Sequence, residues 1–153
     1  MKIVIIEDEE LTANDLASTL LKVDKTVEII AVLGSVKESV SYFMENRDPD
    51  LIFSDIQLGD GLSFEIFHRC SITAPVIFCT AYDEYALKAF KVNGIDYILK
   101  PFSKQTINDA LNRYKALKNN FMSASISVEK IHELFKNQNE RKQNTILVYY
   151  REN

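Results

Sequence analysis

Residues 2–8 read KIVIIED, an apolar run that ends in the acidic pair Glu7-Asp8. Other short apolar runs also end in a residue that can do chemistry: LIFS at 51–54 precedes Asp55, VIFC at 76–79 precedes Thr80, and YIL at 97–99 precedes Lys100. Longer amphipathic stretches separate these runs, which is the pattern of parallel strands joined by crossover helices. The sequence therefore predicts an α/β fold built on a parallel sheet.

Five strand–helix units are predicted between residues 1 and 118. The strands are expected at residues 2–7, 27–33, 50–54, 76–79 and 95–99, and the helices at residues 9–23, 36–45, 62–70, 83–92 and 104–118. Ser35 and Ser103 are candidate N-caps, and Asn93-Gly94 is expected to end the fourth helix as a left-handed C-cap. A glycine-rich loop at residues 59–61 follows the third strand. We expect a flavodoxin-like, doubly wound five-stranded sheet of order 2-1-3-4-5.

Composition restricts the class of protein. The 153 residues suffice for one domain and a small appendage, and the net charge of −4 comes without a basic stripe that would bind nucleic acid. The apolar run at residues 3–6 is too short for a signal peptide or a membrane span. Cys70 and Cys79 form no metal-binding motif, so we expect reduced thiols and a cytoplasmic location, without membrane partners.

The composition changes after Lys118. Residues 119–144 are predicted to be a linker that contains a short amphipathic helix at 128–135. The stretch TILVYY at 145–150 has strong strand propensity but no sheet to join. We interpret residues 145–153 as the first strand of a second domain whose remainder the chain lacks.

The polar residues at the strand ends are expected to form one site, because ligands of such sheets bind beyond the carboxyl ends of the strands. The first and third strands are neighbours in the predicted order, so Glu7, Asp8 and Asp55 should meet there. Three close carboxylates repel one another unless a cation compensates, and Mg²⁺ prefers such oxygen ligands. Asp55 is then the natural nucleophile for phosphoryl transfer, with Lys100 and Thr80 available to the phosphoryl group.

Several motifs together resemble a known family. The segments IIEDE at 5–9, DIQL at 55–58, TA at 80–81 and KPF at 100–102 are similar to the receiver domain of two-component response regulators. The stretches TAYDEYALKAF at 80–90 and DYILKPF at 96–102 resemble the LytTR (LytR/AlgR) subfamily. The strand predicted at 145–150 fits the start of the DNA-binding domain of that subfamily.

This resemblance implies a role for each acidic residue. Asp55 would accept a phosphoryl group from a sensor histidine kinase. Asp8, Asp55 and the backbone carbonyl of Gln57 would bind Mg²⁺ directly, and Glu7 would act through water. The loop after Asp55 departs from the family pattern, with Gly59 in place of a frequent proline and Ser63 in place of a glycine.

The resemblance also implies the parts of a switch. Lys100 would contact the phosphoryl group, Thr80 would move toward it, and the ring of Tyr97 would turn inward. The peptide bond between Lys100 and Pro101 would be cis. Tyr85 and Tyr97 are candidates for a homodimer interface formed on phosphorylation, and DNA would be bound only through an output domain absent from this chain. The domain would thus be a switch that catalyses its own phosphoryl transfer and slow dephosphorylation.

Three alternatives are weighed against this interpretation. A flavodoxin-type electron carrier shares the sheet order, but its phosphate loop would be replaced here by the anionic segment at residues 7–10. An aspartyl-phosphate hydrolase would carry a second acid two residues after the nucleophile, where this chain has Gln57. A stand-alone receiver with protein contacts as its output differs only in whether residues continue beyond Asn153.

Overall fold

The computed structural model describes residues 1–89 and 91–123, with the backbone alone for Leu87 and residues 121–123. Five parallel strands form the central sheet in the order β2-β1-β3-β6-β7. These are β1 (Lys2–Ile6), β2 (Glu28–Leu33), β3 (Leu51–Ser54), β6 (Val76–Thr80) and β7 (Gly94–Leu99). The helices are α1 (Glu10–Val23), α2 (Val36–Glu45), α3 (Phe64–Arg69), α4 (Ala86–Ala89) and α5 (Lys104–Ser123). The predicted α/β fold and strand order are confirmed.

Both faces of the sheet are covered by helices. On one face α2, α3 and α4 pack against the strands, and on the other face α1 and α5 do so. The four residues from Ile3 to Ile6 are completely buried, and so are all four residues of β3 or nearly so. Burial on both faces explains why these strands are continuous apolar runs, without the alternation of a half-exposed sheet.

Local capping interactions fix where the helices begin. The Ser35 hydroxyl accepts a hydrogen bond from the Glu38 amide at 3.0 Å at the start of α2. The Ser103 hydroxyl accepts one from the Thr106 amide at 3.1 Å at the start of α5. Each side chain satisfies an amide that has no partner within its own helix.

The segment predicted as a glycine-rich loop contains a short hairpin. Strands β4 (Gln57–Leu58) and β5 (Gly61–Leu62) pair in antiparallel fashion around the turn at Gly59-Asp60. Gly61 has a φ of +144°, a conformation that side chains rarely tolerate. Because Leu62 belongs to this hairpin, α3 begins at Phe64, two residues later than predicted.

The interpretation of Asn93-Gly94 as a left-handed C-cap is wrong. A short 3₁₀ turn (Asp83–Tyr85) and α4 occupy the start of the predicted fourth helix, while Gly94 is the first residue of β7. A Cβ at position 94 would lie 2.9 Å from the carbonyl carbon of Ala89 and 3.2 Å from the Phe78 ring. Glycine is needed here because the strand passes so close to α4.

Helix α5 is longer than predicted and is attached to the sheet and α1 at its middle. It continues past Lys118 to Ser123. Three successive side chains hold it: Arg113 pairs with Asp96 of β7 at 2.6 Å, the Tyr114 hydroxyl donates to the Asp50 carbonyl at 3.1 Å, and Lys115 pairs with Asp24. On its buried side, the apolar residues Ile107 and Leu111 pack into the core that α5 shares with α1.

The predicted linker helix at 128–135 and the strand at 145–150 lie outside the described residues. Among residues 1–89 and 91–123, none of the helices is long and apolar enough to cross a lipid bilayer.

Candidate phosphoryl and cation site

The structure brings the three predicted carboxylates together at the carboxyl edge of the sheet. Strands β1 and β3 are direct neighbours, and the Asp55 amide donates to the Ile6 carbonyl at 2.8 Å. One carboxylate oxygen each from Glu7, Asp8 and Asp55 lies within 4.8 Å of the others. This convergence follows from the parallel arrangement of the two strands.

The three acids differ in burial and in their partners. Glu7 is buried, Asp55 is partly buried and Asp8 is exposed. Asp55 Oδ1 accepts a hydrogen bond from the Ile56 amide at 2.7 Å, and Asp55 Oδ2 lies 2.9 Å from Lys100 Nζ. Lys100 also pairs with Glu7 Oε1. The lysine therefore bridges two of the acids and leaves Asp8 facing solvent.

The electrostatics of this cluster are unbalanced. Burial raises the pKa of Glu7 to about 7, and repulsion from Asp55 adds to the rise while the hydrogen bond from Lys100 opposes it. Burial of the Lys100 ammonium works against its charge, but its hydrogen bonds with Glu7 and Asp55 raise its pKa above the usual value. The cluster therefore brings three acids together with one lysine, which contacts only two of them.

The donor set of the cluster fits a hard divalent cation. All three side chains offer carboxylate oxygens, the ligand type that Mg²⁺ prefers. Two oxygens that bind one Mg²⁺ lie about 3 Å apart in adjacent positions and about 4 Å apart in opposite ones. A spread within 4.8 Å therefore needs only a small adjustment of the side chains.

Thr80 ends β6, and Tyr97 lies near the end of the neighbouring strand β7, opposite Phe78. The Thr80 side chain is fully buried, and its hydroxyl lies 3.5 Å from the Tyr82 amide. The Lys100 amide donates to the Thr80 carbonyl at 2.7 Å, which joins the ends of β6 and β7. The Tyr97 hydroxyl donates to the carbonyl of Tyr82, the residue two positions after Thr80. Tyr97 is thus attached to the segment that follows Thr80. The peptide bond between Lys100 and Pro101 is cis.

The two candidate interface tyrosines are already used within the domain. Tyr85 is partly buried, accepts a hydrogen bond from Gln57 Nε2 at 2.9 Å and packs against Phe64, with ring centroids 6.2 Å apart. Tyr97 is also partly buried and packs against the core on the α3 face. Only part of each ring is therefore available to a partner. Phe90, another aromatic residue of this region, lies outside the described residues.

Sequence reasoning missed the role of Asp60 in this region. Its two carboxylate oxygens accept hydrogen bonds from the amides of Val36 and Lys37, at 2.8 and 3.0 Å. These are the first two residues of α2, which begins at the same edge of the sheet. The Gly-Asp-Gly turn indicates an acid at this edge, but its partner Val36 lies 24 residues earlier in the chain, so no local pattern predicts the contact.

The chain matches known proteins in both sequence and structure. Residues 3–112 match the family described as response regulator receiver domain. The chain is 42% identical over 118 residues to the sensory transduction protein LytT of Bacillus anthracis, covering 75% of this chain and 48% of that protein. It is 37% identical over 121 residues to the transcriptional regulatory protein LytR of Staphylococcus aureus (strain N315), covering 77% and 48%. The chain therefore spans about half the length of the curated relatives it matches.

Solved structures show the same architecture. The response regulatory domain of protein mrkE from Klebsiella pneumoniae superposes with a TM-score of 0.68 at 26% identity, covering 76% of this chain and 96% of that one. The N-terminal domain of a response regulator/sensory box/GGDEF 3-domain protein from Carboxydothermus hydrogenoformans has a TM-score of 0.68 at 25% identity, with coverage of 80% and 99%.

Proposed function

The chain belongs to the response regulator receiver family, with LytT and LytR regulators among its relatives, and from this premise we propose that Asp55 accepts a phosphoryl group from a sensor histidine kinase. The observation that carries the proposal is the convergence of Glu7, Asp8 and Asp55 within 4.8 Å, with Lys100 in contact with two of them. Each of the three acids alone could be an ordinary strand-end residue.

Magnesium is the cofactor that fits this donor set. Asp8, Asp55 and the backbone carbonyl of Gln57 would hold it directly, and Glu7 would act through a water molecule. When bound, the ion supplies positive charge to the phosphoryl oxygens during transfer. The assignment is supported by the donor set itself, because three carboxylates lie together with one lysine in contact with two of them.

Asp55 would act as the nucleophile. A bond forms between an Asp55 carboxylate oxygen and phosphorus while the phosphorus–nitrogen bond of the donor phosphohistidine breaks, and the imidazole leaves with the electron pair. The Ile56 amide holds Oδ1 at 2.7 Å and orients the carboxylate. Lys100, now 2.9 Å from Oδ2, would move its contact to a phosphoryl oxygen and stabilise the developing charge.

Phosphorylation would be reported by Thr80 and Tyr97. The Thr80 hydroxyl would turn from the Tyr82 amide to the phosphoryl group, which needs a hydrogen-bond donor. The segment after Thr80 would move with it and would release Tyr97 from the Tyr82 carbonyl. The Tyr97 ring would then turn inward. This exchange changes the surface formed by α4, β7 and α5, through which we propose that two phosphorylated copies dimerise, with Tyr85 and Tyr97 at the interface.

The output is inferred from the relatives. The related LytR is named a transcriptional regulatory protein, so we propose that the parent protein controls transcription through a LytTR DNA-binding domain and that the receiver acts as its switch. The receiver would not be a turnover enzyme, because its reaction modifies the domain itself. Residues 119–144 would then connect the two domains, and residues 145–153 would begin the second.

The test is to incubate the chain with acetyl phosphate and Mg²⁺ and to measure its intact mass. We expect a gain of one phosphoryl group, lost with EDTA and with Asp55→Asn. Asp50→Asn is the matched control, because Asp50 lies just before β3 and Asp55 just after it. It should be modified like the wild type. An unchanged wild-type mass, or a modified Asp55→Asn variant, would contradict the proposal.

The dimer is tested separately by sedimentation. With a phosphoryl mimic and Mg²⁺ the chain should sediment as a dimer, and without them as a monomer. Tyr85→Ala should weaken the dimer. Identical sedimentation with and without the mimic at all concentrations would contradict this part of the proposal.

A further inference from the structure

The hairpin of β4 and β5 is attached to the body of the domain on both sides. At its turn, Asp60 accepts hydrogen bonds from the amides of Val36 and Lys37. At its base, Gln57 Nε2 donates to the Tyr85 hydroxyl at 2.9 Å. The hairpin therefore spans from the start of α2 to the segment that precedes α4.

The contact between Asp60 and α2 is the more specific of the two. A helix begins with amides that have no partner within the helix, and here Asp60 takes the first two while Ser35 takes the next. Both oxygens of one carboxylate are used, which fixes the orientation of the turn as well as its distance. The two backbone hydrogen bonds also lower the pKa of Asp60, so the carboxylate is ionised at neutral pH.

The anchored turn lies beside the cation site. Gly59 is so close to Asp8 that a Cβ at position 59 would be 4.0 Å from Asp8 Oδ2. Gln57, whose backbone carbonyl is assigned to the cation, lies in the strand that leads into this turn. A two-residue turn transmits any displacement of Asp60 to Gln57, because the strands on either side are only two residues long.

We propose that Asp60 is a positioning residue for the cation site: by binding the first two amides of α2, it holds the hairpin where the Gln57 carbonyl completes the site formed by Asp8 and Asp55. This inference rests on the proposed function, since it requires that the site binds Mg²⁺. Asp60 itself need not touch the ion or the phosphoryl group. The acids of the site would bind the ion with their side chains, whereas Asp60 joins the hairpin to the start of α2.

The test measures Mg²⁺ binding directly, by titration calorimetry on the metal-free chain. Asp60→Ala should weaken Mg²⁺ binding by about tenfold, the lower end of the effect of residues that support metal ligands indirectly. Asp60→Asn keeps one acceptor oxygen and should have a smaller effect. Asp48→Ala is the matched control: Asp48 also accepts backbone amides across a loop, from Thr73 at 2.6 Å and Ala74 at 3.3 Å, but at the opposite edge of the sheet. It should leave Mg²⁺ binding unchanged.

Two further readouts separate positioning from a general loss of structure. In the metal-free protein, amide hydrogen exchange at Val36 and Lys37 should be faster in both Asp60 variants than in the wild type. The rate of modification by acetyl phosphate should return to the wild-type value at saturating Mg²⁺, because only the affinity has changed. If Asp60→Ala unfolds, Asp60→Asn carries the test.

The outcomes distinguish this inference from the proposed function. If the wild type binds Mg²⁺ and both Asp60 variants bind it equally well, the inference is overturned and the proposed function stands. If Asp48→Ala weakens binding as much as Asp60→Ala, the effect is general and the inference is again overturned. If the wild type binds no Mg²⁺, the proposed function fails and the inference falls with it.

Discussion

Two lysine–carboxylate contacts lie at opposite edges of the sheet, and the acids in them behave differently. At the amino edge Lys115 pairs with Asp24, and the hydrogen bond from Lys115, together with those from Thr26, lowers the pKa of Asp24 to about 2. At the carboxyl edge Lys100 pairs with Glu7 and Asp55, yet burial raises the pKa of Glu7 to about 7.

The difference arises from the ratio of charges and from their exposure. Lys115 is 40% exposed and serves one acid, whereas Lys100 is 18% exposed and lies among three. At the amino edge one lysine therefore balances the charge of one acid, whereas the carboxyl edge keeps an excess of negative charge. This excess of negative charge favours binding of a further cation. The fold holds the three acids close together although they repel one another.

The largest difference between the two edges is expected in the free energy of unfolding when each lysine is replaced in turn. In EDTA at pH 7, Lys100→Met should lower the free energy of unfolding by about 3 kcal/mol, because it leaves the partly buried Asp55 carboxylate, beside the buried Glu7, without a cationic partner. Lys115→Met should lower it by less than about 1 kcal/mol, since the Lys115 side chain is 40% exposed and Asp24 keeps its hydrogen bonds from Thr26. Urea denaturation measures both. Equal losses would show that the two edges do not differ in this respect.

Mg²⁺ should stabilise the folded protein through the carboxyl edge of the sheet alone. At a concentration about 100 times its dissociation constant, Mg²⁺ should raise the free energy of unfolding of the wild type by about 2.7 kcal/mol. Asp8→Asn should lose most of this gain and Asp24→Asn should keep it. Thermal unfolding with and without Mg²⁺ provides the measurement, and an equal gain in the two variants would contradict the assignment of the site.

The pH dependence of stability should have two limbs of opposite sign. Folded Glu7 keeps a proton that the unfolded chain releases above pH 4.5, so without metal the stability should fall as pH rises from about 4.5 to about 7. Folded Asp24 stays ionised down to about pH 2 while the unfolded chain takes up a proton below 3.8, so its contribution is lost as pH falls between these values.

Single variants assign each limb of the pH profile. Urea denaturation in EDTA between pH 2 and pH 8 should show that Glu7→Gln flattens the upper limb and leaves the lower one. Asp24→Asn should do the reverse. A wild-type stability that rises with pH between 5 and 7 would contradict the raised pKa of Glu7.

A smaller effect is expected from a buried hydroxyl near the site. Ser63 is completely buried, and its hydroxyl has no hydrogen-bond partner among the described residues. Ser63→Ala should stabilise the domain by about 1 kcal/mol, because an unsatisfied polar group is removed. Ser39 is the matched control: it is equally buried but donates to the Ser35 carbonyl at 2.7 Å. Ser39→Ala should destabilise by about 1 kcal/mol, and a loss of the same size in both variants would show that Ser63 is satisfied.

The sheet and the candidate site could be predicted because their signals are local. An apolar run followed by Asp55 or Thr80 identifies a buried strand and the residue at its end, and parallel packing then brings the ends together. The contacts of the hairpin left no such signal. Asp60 and Val36 are 24 residues apart, and Gln57 and Tyr85 are 28 residues apart, so neither pair produces a periodic pattern.

Gly94 shows a second reason why a prediction from the sequence was wrong. An Asn-Gly pair after an amphipathic stretch is typical of a helix end, and the local pattern carried the prediction. Position 94 requires glycine for a tertiary reason, the close approach of Ala89 and Phe78. Only the packed structure contains that information.

The two halves of α5 are attached to the domain to different extents. Ile107 and Leu111 of the first half are buried in the core, and residues 113–115 tie the helix to the sheet and to α1. Residues 116–123 extend about 12 Å beyond these ties. A displacement of the packed half would therefore be carried along the helix axis to its last turn.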